Sequence, residues 1–257
     1  MHFKRKKNPV DKQKLIYGRH PITDAIHHHK SIDKIMLSNA VKGEYEKELR
    51  KLCKEQNIPL HIVPKDRLNH ITGKNHQGVI GFLAEIEYQL IEDIFPIIYD
   101  RGEVPLIVVL DGITDVRNMG AIARTAEACG AHALIVPQKK TAQINAEAMK
   151  ASAGALNSIP VCRTASLANA LDYLIMNGLQ IIAADLRGDK MLPQLDLSLP
   201  TALVMGAEDE GVRPHLLRKV NHWFKIPMKG STDSFNVSVA TGMVLYESIR
   251  QRIDLEG

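Results

Sequence analysis

The chain has 257 residues, enough for one large domain or two smaller ones with a buried core. With 45% hydrophobic and 24% charged residues, 17 Gly and 12 Pro, its composition excludes collagen-like, low-complexity and wholly disordered chains. The net charge of +4 belongs to the start of the chain: residues 1–14 carry six basic side chains and one acid, which leaves −1 for the other 243.

A tail of that kind either reaches phosphates without reading sequence or is simply a solvated terminus. No apolar stretch follows it, and no run approaches the roughly 20 apolar residues that a membrane helix needs. The expectation is a cytoplasmic protein with neither a signal peptide nor a span. Cys53, Cys129 and Cys162 are odd in number, far apart and without metal-ligand spacing, which fits reduced thiols.

After the tail, residues 15–88 read as a small α/β unit. Strand-like runs at 34–37, 60–63 and 79–83 flank a helical pattern with Tyr45, Leu49, Leu52 and Cys53 on one face. Residues 89–104, with Pro96 and Asp100-Arg101-Gly102, break the periodicity and read as a linker. From 105 to 257 short apolar runs at 106–110, 133–136, 180–184, 202–205 and 224–228 alternate with helical patterns. Runs apolar on both faces and joined by helices imply a parallel sheet covered on both sides, with ligands beyond the strand C-termini.

Three loops at those ends carry candidate chemistry. The first holds Asn118, Gly120 and Arg124: a plausible helix cap, a site of close backbone approach and a guanidinium, all expected to point at one spot. The second, Gly206-Ala207-Glu208-Asp209-Glu210-Gly211, puts three carboxylates between two glycines. Such a loop repels phosphate and suits a cofactor with positive charge, or is merely a solvated turn. The third, Ile226 to Ser238, is rich in hydroxyls and amides, and Ser234 or Asn236 can cap the helix that follows. Neither the dinucleotide fingerprint nor the phosphate loop of nucleotide triphosphatases is present, and no nucleophile elbow supports a serine hydrolase.

In this order the loops resemble the three signature motifs of the SpoU branch of the SPOUT RNA methyltransferases, Asn-x-Gly-x-x-x-Arg, Gly-x-Glu-x-x-Gly and Ser-x-Asn-x-Ser. Phe235 stands where Leu is usual and Val116 where Pro is common. The resemblance implies a C-terminal parallel-sheet domain with a deep trefoil knot, preceded by a small α/β RNA-binding domain. It implies S-adenosylmethionine held mainly by backbone, with Gly206, Ile226 and Phe235 at the matching positions and Met228 nearby. Arg124 would act at a ribose 2′-hydroxyl, and Asn118, Glu208, Ser234 and Asn236 would place it and the substrate. The family also implies a homodimer.

Within residues 15–88, Ile16-Tyr17-Gly18-Arg19-His20 and His76-Gln77-Gly78-Val79-Ile80 resemble the RNA-substrate-binding domain of the family's ribosomal RNA guanosine 2′-O-methyltransferases. The expected substrate is therefore large-subunit ribosomal RNA, with transfer RNA as the alternative, and Arg19, His76 and Gln77 are candidate RNA contacts. A non-catalytic RNA-binding or assembly factor of the same fold is the rival from another class. The His27-His28-His29 run reads as a solvated helix end, since consecutive residues diverge around a helix, and no metal site is expected.

Overall fold

The computed structural model describes residues 15–207, 209–232 and 234–253. The chain divides into two compact units, residues 1–85 and 86–257. In the first the order is β1 (Leu15–Tyr17), α1 (Arg19–His27), β2 (Ile32–Ser38), α2 (Glu44–Glu55), β3 (Leu60–Val63), α3 (Lys65–Ile71) and β4 (Val79–Leu83). The strands form a mixed sheet in the order β1-β4-β2-β3, with only β2 and β3 parallel. Strand alternation sorts the core. Ile35 and Leu37 pack with Ile22 and Ile26 of α1 and Leu49 and Cys53 of α2, whereas Met36 and Ile80 pack with Leu68 of α3. The α2 face is thus the one its spacing predicts.

The second unit runs β5 (Tyr88–Gln89), α4 (Ile91–Asp100), β6 (Leu106–Asp111), α5 (Val116–Ala128), β7 (Ala133–Pro137), α6 (Ala146–Ala151) and β8 (Val161–Thr164). It continues α7 (Leu167–Met176), β9 (Gln180–Ala184), β10 (Lys190–Met191), β11 (Thr201–Gly206), α8 (Pro214–Leu217), β12 (His222–Lys225) and α9 (Val237–Ile253). Its eight strands lie in the order β10-β12-β9-β11-β6-β7-β8-β5, and every pair is parallel. The expected sheet with both faces covered is what forms. Val108, Leu110, Leu203 and Met205 face α5 and α9, while Ile107, Val109, Ala202 and Val204 face α4, α7 and α8.

One expectation about the fold needs correction. Residues 89–104 are not a linker: Tyr88–Gln89 pair with β8, and α4 buries Ile91, Ile94, Phe95 and Ile98. Pro96 removes a hydrogen bond at a cost of about 3 kcal/mol. Burying four large side chains, each contributing roughly 1.5–3 kcal/mol, outweighs it. Among the strands that the apolar runs do not show is β8, whose Val-Cys-Arg-Thr carries a charge, yet Arg163 is buried with its guanidinium 3.9 Å from the Tyr88 ring centroid. At the base of the sheet, Arg252 near the end of α9 donates to the carbonyls of Val104, Pro105, Leu197 and Leu199 at 2.7–3.2 Å. That guanidinium holds the C-terminal helix against segments preceding β6 and β11.

Candidate active site

The central strands set the site. In the β6–β11 register Asp111 lies opposite Gly206, so the first and second loops leave the sheet side by side. Asp111 is 1% exposed, and a buried carboxylate needs partners. It accepts from the Arg213 backbone N–H at 2.9 Å and from the Arg213 guanidinium Nε at 2.7 Å. This pair clips the segment after the second loop onto the end of β6. Sequence reading passes over it because each partner looks like an ordinary surface charge.

The second loop needs both its glycines for backbone reasons. Gly211 is left-handed at φ +64° and its N–H donates to the Ala207 carbonyl at 2.8 Å, closing a tight turn. The turn folds back on Gly206 so closely that any Cβ there would collide with the backbone of Gly211 and Val212. Asp209 and Glu210 are exposed on this turn; Glu208 lies outside the described residues.

In the first loop the cap is Asp115, not Asn118. The Asp115 carboxylate accepts from the N–H groups of Arg117 and Asn118 at 2.8 and 3.0 Å and starts α5 three residues earlier. Asn118 is thereby released to face α9. Its Oδ1 accepts from Asn236 Nδ2 at 3.0 Å, while Asn236 Oδ1 accepts from the N–H groups of Ser238 and Val239 and so caps α9. The cap fixes which way the Asn236 amide points, and the amide joins the first motif to the third. Gly120 does admit a neighbour: a Cβ would sit 2.5 Å from that of Ala151 and 2.7 Å from the Ala148 carbonyl of α6.

The expected convergence of Asn118, Gly120 and Arg124 on one spot does not occur within this chain. Asn118 faces α9 and Gly120 faces α6. Arg124 is six residues beyond Asn118, about 120° round the helix. It is exposed and engages none of the described residues.

Beside the paired asparagines, the ends of β9, β11 and β12 and the start of α9 enclose a cavity of about 540 Å³. Gly206, Ile226, Met228, Phe235 and Ser234 all line it, with Met205 and Phe224 at its floor. The wall is mostly apolar, and Asp185, Asp209 and Glu210 bring carboxylates to it beside the cations of Arg187 and Lys225. This size and lining are those of a small-molecule site. The loop after β9 is the wall that sequence reading misses, although β9 was itself a predicted parallel strand whose C-terminus had to open here. In that loop Arg187 donates from its backbone and guanidinium to Asp185 at 2.7–2.9 Å, which holds the Asp185 carboxyl below the usual carboxylate range.

Residues 105–246 match the SpoU rRNA Methylase family, and residues 15–89 match the RNA 2′-O ribose methyltransferase substrate-binding family. The chain belongs to the SpoU rRNA methylase family. It is 38% identical over 94% of its length to the Pseudomonas aeruginosa 23S rRNA (guanosine-2′-O-)-methyltransferase RlmB, 98% of which is covered. The crystal structure of the SpoU methyltransferase AviRb from Streptomyces viridochromogenes in complex with AdoMet superposes with a TM-score of 0.60 at 26% identity. That match covers 93% of this chain and 90% of AviRb. The Aquifex aeolicus TrmH/SpoU tRNA modifying enzyme matches at 32% identity and a TM-score of 0.56, over 60% of this chain and 78% of its own.

In this SpoU protein the candidate RNA residues of the first unit fall into two kinds. Arg19 and Gln77 meet at the surface: Gln77, left-handed at φ +50°, accepts from the Arg19 backbone N–H at 3.0 Å, and the Arg19 guanidinium lies 5.1 Å from the Tyr45 ring centroid. Antiparallel pairing of β1 with β4 brings the two motifs together. His76 is different, being buried. Its Nδ1 accepts from the Gly78 N–H at 3.0 Å, so Nε2 carries the proton donated to Asn69 Oδ1 at 2.9 Å. With both nitrogens engaged, His76 shapes the turn.

Two outcomes follow from this geometry. Replacing Arg213 by Ala strands a buried carboxylate and should cost about 3 kcal/mol, the low end for such pairs because Arg213 is 35% exposed. A thermal melt of the purified chain checks it, and a melt like the wild type's would remove the clip from the account. Burial, assisted by Lys65, lowers the His76 pKa from its ordinary 6.5. The unfolded chain then binds the extra proton, so stability contributed by neutral His76 is present above about pH 6.5 and is lost as the pH falls below it. Urea unfolding at pH 7.5 and 5.5 should show that loss, and His76→Gln should flatten it.

Proposed function

We propose that the protein transfers a methyl group from S-adenosylmethionine to the ribose 2′-oxygen of a guanosine in large-subunit ribosomal RNA. The observation that carries this reading is the cavity that joins the second and third motifs beside the hydrogen-bonded Asn118 and Asn236. Its apolar wall suits an adenosine, and its carboxylates suit a sulfonium and an ammonium. When bound, the cofactor supplies an electrophilic methyl group. Gly206, Ile226, Met228 and Phe235 would hold it, chiefly through backbone.

Chemistry on the protein side is then alignment and charge. Ser234, on the cavity wall, and the Asn118–Asn236 pair orient the ribose hydroxyl in line with the methyl group, and alignment of two reactants supplies much of such an acceleration. Glu208 belongs to this set by its place in the motif. Arg124 is ill suited as a base, since a guanidinium stays protonated below about pH 12. Its exposed side chain instead meets the phosphate beside the target ribose, while the hydroxyl proton passes to solvent water and the demethylated cofactor leaves. The alignment with an rRNA guanosine methyltransferase along both units, against 60% coverage by a tRNA modifying enzyme, favours ribosomal RNA.

The reading includes a trefoil-knotted C-terminal segment and a homodimer. The dimer is supported by α9, whose outer face exposes Val239, Met243, Tyr246 and Ile253 in one stripe beside α5. That stripe suits a second copy of the chain, and action on ribosomal RNA sets the protein in the cytoplasm.

Transfer of a labelled methyl group to unmodified ribosomal RNA and to unmodified transfer RNA, assayed side by side, tests the activity. Label should appear in a ribosomal 2′-O-methylguanosine and fall at least ~100-fold in Arg124→Ala with cofactor affinity retained. Arg124→Lys should recover little, because lysine lacks the planar fork. Label confined to transfer RNA would overturn the substrate assignment. Light scattering at micromolar concentration should give a dimer that Tyr246→Asp dissociates; a wild-type monomer would overturn the dimer.

A further inference from the structure

The catalytic end of the sheet carries mixed charge on one side and exposed lysines on the other. Asp185, Asp209 and Glu210 lie on the cavity side, at the ends of β9 and β11. On the other side of β6 comes β7, and the loop leaving it, residues 138–145, is pinned to the first motif's loop by a hydrogen bond from the Ala142 N–H to the Ile113 carbonyl at 2.7 Å. Lys139 and Lys140 are exposed on this loop. Lys140 is left-handed, at φ +57°, a conformation that favours Gly or Asn. A lysine there goes against the backbone preference, and neither lysine makes a hydrogen bond or ion pair with a described residue.

Arg117 extends the same positive rim. It is 80% exposed in the first turn of α5, and Arg124, seven residues on, lies on the same helix face. The nearby acids are engaged, since Asp115 caps α5 and Glu147 pairs with Arg117 at 3.1 Å. A target ribose placed between the asparagine pair and the cavity is one link of a polyanion, and its flanking phosphates must leave the site. The cavity side is walled, and its cations Arg187 and Lys225 stand among Asp185, Asp209 and Glu210, with Arg187 already paired to Asp185, so it offers the phosphates no open basic run.

We propose that Lys139 and Lys140, with Arg117, form the track for the RNA phosphodiester backbone on the side of the site opposite the cofactor cavity. This rests on the methyltransferase reading and adds to it the direction in which the RNA runs. The track acts through charge and reads no sequence. Each contact releases counterions, so binding through it depends on salt.

The test compares the full chain with Lys139→Gln/Lys140→Gln by filter binding to unmodified ribosomal RNA transcribed in vitro, across a range of salt. Loss of two contacts should flatten the slope of log affinity against log salt by about 1.4–1.8 and weaken binding roughly 20-fold at 150 mM salt. KM for RNA should rise while kcat and cofactor affinity stay within twofold. Lys140→Gly separates charge from backbone: it relieves the left-handed strain, so it should melt no lower than the wild type and still lose part of the RNA affinity. An unchanged slope with unchanged KM overturns the track, as does a fall in kcat alone. Because affinity is read independently of methyl transfer, a wild-type chain that binds RNA and transfers no methyl overturns the methyltransferase reading, while the slope comparison still decides the track.

Discussion

Everything at the active end of this protein depends on a buried carboxylate at the end of a central parallel strand. Asp111 and Gly206 sit side by side where β6 and β11 end, and Arg213 closes onto Asp111 through its backbone and its guanidinium. Parallel strands deliver all their C-terminal loops to one end of a sheet, so proximity of the loops comes with the topology. Topology does not fix how a loop lies once it has left. The Asp111–Arg213 pair does this for the second loop, and burial makes its loss costly, because a carboxylate stripped of its partner inside a protein is not rescued by water.

Glycine and amide geometry then finish the site. Gly206 lets the turn ending at Gly211 press on the strand end, leaving a cavity walled by backbone and apolar side chains. The single amide of Asn236 caps α9 with its oxygen and reaches Asn118 with its nitrogen, so the cap that starts a helix also sets the distance between two motifs. Asp209 and Glu210 stand toward the cavity, where Arg187 and Lys225 also lie, and Lys139 and Lys140 stand exposed after β7, an arrangement suited to a cationic cofactor and a polyanionic substrate meeting at one ribose.

Several features were legible because they are local or periodic. The apolar runs at 106–110 and 202–205 name the central strands, and Leu49 and Cys53 name the buried face of α2. Gly206, Ile226, Met228 and Phe235, which the family resemblance singles out for the cofactor, all line the cavity. Other features were hidden because long-range contacts decide them. Pro96 hides α4 until Phe95 is seen in the core, and Arg163 hides β8 until Tyr88 is seen beneath it. His76 resembles a surface ligand until both its nitrogens are seen to be engaged.

The sequence by itself determined a two-unit α/β chain, a parallel sheet and the three loops where chemistry collects. These follow from periodicity, from the rule that parallel strands open at one end, and from short motifs whose residue types carry their own chemistry. Only the tertiary structure decided that Asp115 and not Asn118 caps α5, that Asn118 bonds Asn236, and that the loop after β9 completes the cavity. It also decided that Arg124 stands apart from the asparagines. The physical reason is one of range: caps, turns and amphipathic faces are settled within a few residues, whereas a hydrogen bond between residues 118 and 236 exists only once the sheet has brought them together.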